Sequence, residues 1–464
     1  MAPENPQPLL EPQPLLDLDP RTGEVIASVP QDDLESVRSA VRRSRAVAED
    51  WAGRPAAERG TLLRQAADAL ERIAGELAAE NARETGRRLE GARGGVEAGI
   101  GTLRQYAELG PVDRGHSLRG ADRAVDYTRE EPRGLVVAIT PWNDPVAIAC
   151  GLIGAALVTG NVVIHKPSEH CPRVGAMLGE AISSALPPDV LSTVLGDGSG
   201  GAMLTAEPGV DAIAHVGSSA TGERIVRAAA LTRAHVVLEN GGNDALVVDA
   251  DVDPVWAAHQ AALGAFENSG QLCTSVERIF VHEAVAEPFL RALVERAEQL
   301  ERSAELGPLV DGALRSRVHE HVTEAIARGA RLLCGGVVPD GPGSYYPPTV
   351  LADCEPGMRI MQEETFGPVA PVQIVPDFAT GLELANADVY GLSATVLTAS
   401  LAHAQRAAAE LNVGTVKVNA VFGGAPGGSA VPRGASGTGH GYGPELLREF
   451  TRTKVVHLGA PGLR

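Results

Sequence analysis

The sequence predicts an α/β fold built from two units, each with a parallel β-sheet that helices cover on both faces. The chain has 464 residues, more than a single hydrophobic core usually organises. From Gly134 onward, short β-branched runs alternate with helical segments, and a second series of this kind starts after Glu239. Such alternation is typical of parallel sheets with helical crossovers. Because apolar residues make up 44% of the chain and aromatic residues only 3%, Ala, Val, Leu and Ile are expected to fill both interiors.

The region before the first sheet is predicted to be mainly helical. Residues 33–51, 56–82 and 84–109 show helical periodicity and are rich in Ala, Leu, Arg and Glu. The polar stretch 111–132 follows. Its segment ADRAVDYTREEPRG is expected to form a strand or a hairpin that projects from the body.

The first β/α series runs from Gly134 to Glu239. Its predicted strands are GLVVAIT, NVVIHK, VLSTVLG, VDAIAHVG and HVVLE, and its predicted helices are 145–158, 172–186 and 220–231. The second series has the predicted strands ALVVD, RIFVHEA, RLLCGG, ATVLTA and GTVKVNA, with helices at 254–268, 284–302 and 313–329. A glycine-dense segment, 421–442, and the strand-like TKVVHLG close the chain.

Charge and cysteine usage exclude several classes of protein. The formal net charge is −19 and no basic stripe is present, so a nucleic acid or an anionic membrane is not expected as a partner. Five scattered cysteines without a C-x-x-C pair argue against a disulfide framework or a zinc site, and favour a reducing compartment. The Pro-rich start does not resemble a signal peptide, and the apolar stretch Val146–Val158 is too short to span a bilayer. We therefore expect a cytoplasmic protein.

Lysine is unusually rare. Of the 40 basic residues only Lys166, Lys417 and Lys454 are lysines, so ordinary surface positions evidently use Arg. Each remaining lysine could have a specific role, although a compositional bias explains Lys417 and Lys454 equally well.

Cys273 is the first candidate for chemistry. It lies in the polar segment FENSGQLC, after a predicted helix and before a predicted strand. A thiol is a good nucleophile only as the thiolate, which a helix terminus or a nearby cation favours. The alternative is a buried structural cysteine, and this alternative suits Cys150, Cys334 and Cys354 better because they lie in apolar or strand-like runs.

Two further candidates follow predicted strands. Glu239 ends the strand HVVLE and precedes a double glycine, which is where α/β enzymes place reactive groups and where backbone can approach a ligand. A solvated strand-end glutamate is the alternative. Asn143 lies between prolines in TPWNDP, where a rigidly held amide could donate to an oxyanion; the alternative is a simple turn.

Two segments suggest a nucleotide site. The turn 217–222, GSSATG, follows a strand and opens a helix, so its N–H groups could bind phosphate, although it is not G-x-G-x-x-G. The segment HKPSE ends another strand, and its Lys166 and Glu169 could hydrogen-bond sugar hydroxyls. The alternative for HKPSE is a charged loop. We interpret the first unit as nucleotide-binding and the second as carrying the nucleophile.

Taken together, these segments resemble the aldehyde dehydrogenase superfamily from about residue 16 to the end of the chain. The motifs that carry the resemblance are, in order, PWN at 141–143, GN-x3-HKPSE at 160–169, GSSATG at 217–222, LE-x-GGND at 238–244, F-x-N-x-GQ-x-C at 266–273, EETFGP at 363–368, YGLSA at 390–394 and SG-x-G…FT-x-x-K at 436–454. One such motif could arise by chance, but eight in the family's order could not.

The resemblance implies a role for each matched position. Cys273 would attack the aldehyde carbon, and the Asn143 amide with the Cys273 backbone N–H would form the oxyanion hole. Hydride would pass to a nicotinamide, and Glu239 would activate the water that hydrolyses the thioester. The implied cofactor residues are Lys166 and Glu169 at the adenosine ribose, Ser218 at the pyrophosphate, Glu364 and Phe366 at the nicotinamide ribose, and also Thr140, Pro141, Trp142, Ser168, Gly217, Gly222 and Gly241. No metal is implied.

The resemblance also implies a domain organisation, partners and a cofactor. Residues 1–112 and 133–239 would form a Rossmann-like NAD-binding domain, and 240–420 the catalytic domain. Residues 113–132 and 443–464 would form a small β arm that pairs subunits into a homodimer or homotetramer. NAD is favoured over NADP because the Glu169 carboxylate would repel a 2′-phosphate, while Lys166 nearby could soften that preference. The partner would be a small-molecule aldehyde.

Several positions depart from the family pattern. Leu152 stands where a lysine is common and Gly441 where a glutamate is common, so two charges that serve the general base are missing. Asp144, Asn240 and the segment 429–432 suggest a wider and more polar substrate mouth. A CoA-acylating enzyme, a catalytically weakened member with a binding role, and a nucleotide-binding module without redox chemistry stay as alternatives. The retained Glu239 disfavours the first, and the intact Cys273, Asn143 and Glu239 disfavour the others.

Overall fold

The computed structural model describes residues 13–113, 115–122, 124–303, 305–423, 429 and 431–459. The N-terminal region contains a short antiparallel hairpin followed by four helices. These elements are β1 (Leu15–Leu18), β2 (Val25–Val29), α1 (Leu34–Gly53), α2 (Ala56–Arg72), α3 (Ala74–Thr85) and α4 (Leu89–Leu109). The hairpin was not expected in the Pro-rich leader.

The prediction of single helices over 56–82 and 84–109 was wrong in its boundaries. Ile73 interrupts the first of these segments with a φ of −106° and a ψ of 8°, so α2 and α3 are separate helices. Gly75, two residues after the break, is a local residue that disfavours one continuous helix here. The break before α4 lies at Gly86, which adopts a left-handed φ of +77° that suits glycine.

The first large sheet confirms the predicted strand series between Gly134 and Glu239. Its elements are β5 (Leu135–Ile139), α5 (Pro145–Val158), β6 (Val162–Lys166), α6 (Pro172–Ser183), β7 (Leu191–Thr193), α7 (Gly198–Ala206), β8 (Ala212–Gly217), α8 (Ser219–Thr232) and β9 (His235–Asn240), preceded by β3 (Ser117–Leu118) and β4 (Val125–Pro132) of a separate sheet. The order is β9-β8-β5-β6-β7, and all four pairings are parallel. Helix α7 was not predicted.

The second large sheet has seven strands. Its elements are β10 (Asp244–Val248), α9 (Pro254–Phe266), β11 (Val276–His282), α10 (Glu283–Ser303), α11 (Gly312–Ala327), β12 (Arg331–Cys334), β13 (Thr349–Ala352), β14 (Val369–Val375), α12 (Phe378–Asn386), β15 (Ser393–Leu397), α13 (Leu401–Glu410) and β16 (Thr415–Val418). The order is β12-β13-β14-β11-β10-β15-β16, parallel except for the pair β12–β13. Strands β13 and β14 and helices α12 and α13 were missed.

Each sheet has its own hydrophobic interior. One buried cluster draws on residues 37–238 and is completed by Leu446, Leu447 and Phe450. Two further clusters, drawn from residues 245–421, pack around the second sheet. The separation of the cores supports two α/β units, as predicted. The exact domain limits given above stay a prediction.

The C-terminal part of the chain returns to the first unit. Strand β17 (Gly437–Thr438) adds to the edge of β9 in antiparallel register, and the short helix α14 (Leu446–Glu449) contributes to the first core. Strand β18 (Thr451–Leu458) then pairs antiparallel with the whole of β4, from Thr451 opposite Pro132 to Leu458 opposite Val125. With β3 on the other side of β4, these strands form a separate three-stranded sheet, which we call the arm.

A helix that crosses a bilayer has to be both long and apolar. In the described parts of the chain, no helix is both long and apolar enough to cross a membrane.

Candidate active site

The three candidate catalytic residues lie where the two large sheets meet. Asn143 follows β5 and Glu239 lies near the end of β9, so both are at the C-terminal edge of the first sheet. The chain passes from β9 directly into β10 of the second sheet through Gly241 and Gly242. Cys273 lies in the loop that joins α9 to β11. The junction therefore brings together parts of the chain that are far apart in sequence.

The loop that carries Cys273 has an unusual backbone. Asn268, Ser269 and Gly270 have φ values of 49°, 57° and 73°, three consecutive residues in the left-handed region. Such conformations cost free energy in non-glycine residues and persist only when the surroundings hold them. At Gly270 a Cβ atom would overlap the carbonyl oxygen of Gly367, so glycine is required there for space as well as for conformation.

The segment 307–310 holds this loop in place. The Ser269 hydroxyl donates to the carbonyl oxygen of Gly307 at 2.7 Å. The Gln271 amide donates to the carbonyl oxygen of Pro308 at 3.3 Å and accepts from the backbone N–H of Val310 at 2.9 Å. Gln271, which is buried, therefore anchors the chain two residues before Cys273.

Asn143 is tied to the same loop. Its side-chain amide is buried and donates to the carbonyl oxygen of Gln271 at 3.1 Å. From the other side, Arg87 donates to the carbonyl oxygen of Asn143 at 3.1 Å and forms an ion pair with Asp144 at 2.8 Å. The amide is therefore fixed beside the loop of Cys273, as an oxyanion donor has to be.

The Cys273 thiol is half-buried and faces mostly negative charge. Burial raises its pKa well above the usual value, and the carboxylates of Glu239, Asp244 and Glu364 raise it further. Lys417 acts in the opposite direction. Sequence reasoning missed Asp244 and left Lys417 open between a specific role and compositional bias, because their proximity to Cys273 arises only in the folded chain.

Glu239 is the candidate general base. Burial raises the pKa of its carboxyl to about 7, close to the value at which a base works best near neutral pH. Gly441 packs against it so closely that a Cβ atom at 441 would lie 2.7 Å from Glu239 Oε2. Leu152 is buried within the apolar helix α5. At neither 152 nor 441 does a side-chain charge approach the base.

Asn240, which was expected at the substrate mouth, lies elsewhere. Asn240 is buried against Gly222 and donates to the carbonyl oxygen of Ala435 at 3.1 Å, because alternation along β9 turns it to the face opposite Glu239. The expectation that Asn240 widens the substrate mouth was therefore wrong.

Tyr442, which sequence reasoning missed, packs its ring on Gly151 and shares a hydrogen bond with Thr102. Within the segment 429–432, Ala430 lies outside the described residues.

A cavity of about 400 Å³ lies at the C-terminal edge of the first sheet. Eight of the twelve residues expected to bind the cofactor line it: Thr140, Pro141, Trp142, Lys166, Ser168, Glu169, Gly217 and Ser218. A ninth, Phe366, packs edge-on against Trp142 with ring centroids 5.7 Å apart. The cavity thus continues toward the loop that carries Glu364 and Phe366.

The remaining predicted cofactor residues occupy other positions. Gly241 packs against the carboxylate of Glu364, which also accepts the backbone N–H of Gly242 at 3.1 Å. Gly222 does not line the cavity but lies under the Asn240 side chain, where a Cβ atom would lie 2.6 Å from its Oδ1. In the structure Gly222 has a packing role, since it lets α8 approach β9.

The cavity wall includes residues that sequence reasoning missed. Arg224 of α8 and His215 of β8 both line it. His215 is buried, neither of its ring nitrogens has a hydrogen-bond partner, and burial lowers its pKa to about 4. Its position at the end of a strand, two residues before the GSSATG turn, was the signal that could have found it.

Acidic side chains also gather away from this site. Among the described residues, Asp17, Glu80 and Glu84 bring one carboxylate oxygen each within 4.8 Å of one another. They belong to β1 and α3, and none of the candidate catalytic or cofactor residues takes part in this cluster.

Comparisons with known proteins identify the class of this fold and site as oxidoreductases that act on aldehydes. The sequence profile of the Aldehyde dehydrogenase family matches residues 11–456. The chain belongs to the aldehyde dehydrogenase family.

Individual relatives are similar over nearly the whole chain. Betaine aldehyde dehydrogenase of Cereibacter sphaeroides is 36% identical over 465 residues, which cover 96% of this chain and 94% of the relative. The structure of betaine aldehyde dehydrogenase from Staphylococcus aureus in complex with NAD+ has a TM-score of 0.93 and 29% identity, covering 96% of this chain and 92% of that one. The structure of 3,6-anhydro-L-galactose dehydrogenase in complex with NAP has a TM-score of 0.92 and 32% identity, covering 96% of both chains.

Proposed function

We propose that the chain oxidises an aldehyde to a carboxylic acid with NAD(P)+, through a thiohemiacetal and a thioester on Cys273. The observation that carries this proposal is the convergence at the sheet junction. The Asn143 amide bonds to the loop two residues before Cys273, and Glu239 is the charged group that acts most strongly on the thiol. A nucleophile, an oxyanion donor and a base with a pKa of about 7 thus meet in one place.

In the first half of the reaction, the Cys273 thiolate adds to the aldehyde carbon. Negative charge then develops on the substrate oxygen, where the Asn143 amide and the Cys273 backbone N–H donate to it. Removing one such donor typically costs about 10²–10³ in rate. Loss of hydride from the substrate carbon leaves the acyl group bound to sulfur as a thioester.

In the second half, Glu239 in its carboxylate form accepts a proton from water as the water oxygen bonds to the acyl carbon. The carbon–sulfur bond then breaks, the acid leaves and Cys273 returns as thiolate. Because Leu152 and Gly441 bring no charge near Glu239, its proton must leave through water or backbone. We therefore expect deacylation to be the slower half.

The cavity at the first sheet fits a dinucleotide cofactor, which supplies the hydride acceptor when bound. The Ser218 hydroxyl accepts from Thr221 N–H and caps α8, so the N-terminus of this helix faces the cavity as a phosphate site would. Neither ring nitrogen of His215 has a hydrogen-bond partner among the described residues, so both are available to bond a ligand. We propose that Lys166, Glu169 and Ser218 hold the adenosine and pyrophosphate parts, and that Glu364 and Phe366 hold the nicotinamide ribose.

We favour NAD+ over NADP+ because the Glu169 carboxylate would repel a 2′-phosphate. Lys166 lies 3.8 Å from that carboxylate and Arg224 lines the same cavity, so NADP+ is expected as a poorer cofactor and not as an excluded one. Similar structures with either cofactor support this view, since one is a complex with NAD+ and another a complex with NAP.

A CoA-acylating reaction is the second possibility. Retention of Glu239 opposes it, because a base that activates water would destroy the thioester that CoA has to intercept. NADH formation that depends on added CoA would reverse this conclusion.

We further propose that the arm pairs subunits into a homodimer or homotetramer. Strand β18 is an edge strand with exposed apolar side chains, which suits it to pair with a second copy.

The experiment that tests the nucleophile is Cys273→Ala, with Cys334→Ala as the matched control because that thiol is also partly exposed but lies in β12. Oxidation of an aldehyde panel (aliphatic, aromatic, hydroxylated and semialdehyde) is followed by NADH absorbance, and NAD+ binding by calorimetry. We expect Cys273→Ala to lose oxidation and keep NAD+ binding, while the control keeps both. Residual turnover above a few per cent would remove Cys273 from the mechanism.

A further inference from the structure

No carboxylate of the described residues pairs directly with Lys417; burial lowers the pKa of its ammonium, while Asp244 and the Cys273 thiol raise it. Within the described residues, no acidic oxygen lies within the 4.0 Å limit of an ion pair with its Nζ, whereas Lys166 pairs with Glu169 at 3.8 Å and Lys454 with Glu131 at 2.6 Å. The Lys417 ammonium donates to the carbonyl oxygen of Val421 at 2.8 Å. Its side chain is half-buried, where an unpaired charge is costly.

The strand order places Lys417 beside the catalytic junction. Strand β16, which carries it, pairs with β15, and β15 pairs with β10. Thr415 lies opposite Ser393, whose hydroxyl and backbone N–H both donate to Asp244. Lys417 comes two residues after Thr415 and therefore lies on the same face of the sheet.

Asp244 connects Lys417 to the nucleophile. A Cβ atom on Gly242 would lie 2.6 Å from Asp244 Oδ1 and 2.9 Å from the carbonyl oxygen of Cys273. The Asp244 carboxylate and the Cys273 backbone therefore both lie next to Gly242. Burial raises the pKa of Asp244 to about 7. Near neutral pH this carboxyl is therefore partly protonated, and the charge of Lys417 is left to act on the thiol.

The remaining charges around the thiol oppose its ionisation. Glu239 on β9, Asp244 on β10 and Glu364 in the loop before β14 all oppose ionisation of Cys273, and Lys417 on β16 favours it. Helix α5, which follows the oxyanion loop, contributes no charged side chain at all. A thiolate surrounded by carboxylates would be too rare to attack substrate at neutral pH without an opposing charge.

We propose that Lys417 is the electrostatic partner of Cys273, which keeps part of the thiol ionised inside a pocket rich in carboxylates. This inference rests on the proposed role of Cys273 as the nucleophile. Lys417 acts through the thiol and does not contact the substrate. It transfers no proton and forms no bond, so any cation of similar reach at this position would serve.

The test measures alkylation of Cys273 by iodoacetamide against pH, with peptide mass spectrometry to identify the modified cysteine. This readout requires no catalysis. We expect Lys417→Met to move the midpoint of the alkylation curve upward by about one pH unit, with a roughly tenfold slower reaction at neutral pH. Lys417→Arg retains the positive charge and should keep the original midpoint. Lys454→Met removes a lysine in the arm and should leave the midpoint unchanged.

Lys417→Gln, which keeps a donor for the carbonyl oxygen of Val421, replaces Lys417→Met if that variant does not fold. Asp244→Asn tests the opposing carboxylate. It removes a negative charge beside the thiol and keeps hydrogen-bonding groups for Ser393, so it should move the midpoint downward. An unchanged midpoint in folded Lys417→Met, or in Lys417→Gln if only that variant folds, would overturn the inference.

Activity separates this inference from the proposed function. If Lys417 favours ionisation of the thiol, the kcat lost in Lys417→Met should recover as pH rises. A purely structural defect would not show this recovery. If Cys273→Ala is inactive while Lys417→Met alkylates like the wild type, only the inference about Lys417 fails. If Cys273→Ala remains active, the proposed mechanism itself fails, whatever the alkylation curves show.

Discussion

At the residue scale, the chemistry of Glu239 depends on its burial. A carboxyl with a pKa of about 7 is half ionised near neutral pH, and only the ionised form can accept a proton from water. Hydrolysis of the thioester should therefore accelerate as pH rises through about 7 and level off above it. Gly441 contributes to this burial because its backbone covers the carboxylate where a side chain would not fit.

Glu239→Gln tests this role directly. Acylation does not need the base but hydrolysis does, so stopped-flow absorbance should show a burst of NADH followed by turnover that is slower by roughly 10²–10⁴. The pH dependence near 7 should vanish with it. Glu283→Gln, at an exposed position, is the control. An unaltered steady-state rate in Glu239→Gln would exclude Glu239 as the base.

Single residues of the site were predictable when their local context was informative. Cys273 lies in a polar loop, Glu239 ends an apolar strand and Asn143 lies between prolines, and each of these features can be seen within a few residues of sequence. Asp244 was not recognised, and Lys417 was singled out only for the rarity of lysine, because the neighbours that matter to each lie on other strands. Their environment depends on strand order, which no local pattern contains.

At the scale of elements, the loop from Asn268 to Gly270 determines the position of Cys273, the proposed nucleophile. Gly270→Ala would place a Cβ atom on the carbonyl oxygen of Gly367 and force a left-handed alanine. We expect a loss of about 1–3 kcal/mol in the free energy of unfolding, together with a large fall in kcat as Cys273 shifts. Chemical denaturation and initial rates measure the two effects.

Gly101→Ala is the matched control for that substitution. Gly101 is exposed within α4, and no atom lies within 4 Å of the position that a Cβ atom would take there. Alanine there should stabilise the protein by about 0.5–1 kcal/mol because it restricts the unfolded chain and favours the helix. Equal effects of the two substitutions would contradict the special role of the loop.

Elements were predicted well where the hydrophobic pattern was clean and poorly where proline or short length obscured it. The strands from β5 to β9 were all recognised, and most of them are apolar runs; β7, with the sequence LST, is the exception. Strand β14 lies between β13 and β11 although it contains Pro371, a residue that normally argues against an interior strand. The break at Ile73 was missed although Gly75, a residue that disfavours a helix interior, lies two positions after it.

At the scale of the whole molecule, the arm is the proposed site of assembly. Val455 of β18 has 67% of its surface exposed although the strand around it is fully paired with β4. Val455→Asp should place a charge at the proposed subunit contact and lower the mass in solution, measured by size-exclusion chromatography with light scattering. Val337→Asp, equally exposed at 67% but outside the arm, should leave the mass unchanged. An unchanged mass for Val455→Asp would contradict pairing through this strand.

The two-unit architecture was predictable because two separate strand series are visible in the sequence. The way the chain closes was not. Gly437 and Thr438 add a strand to the first sheet, and Phe450 enters the first core, although the whole second unit separates them from their partners. Contacts across that separation depend on packing between distant segments, which hydrophobic periodicity does not record.

The scarcity of lysine has a practical consequence for handling the protein. Among its three lysines, Lys166 is buried and Lys417 is half-buried, whereas the Lys454 side chain has 51% of its surface exposed. Amine-reactive dyes and activated resins should therefore find a single readily accessible lysine, located on the arm. Coupling through Lys454 would attach the label to the arm and leave the cofactor cavity and Cys273 unmodified.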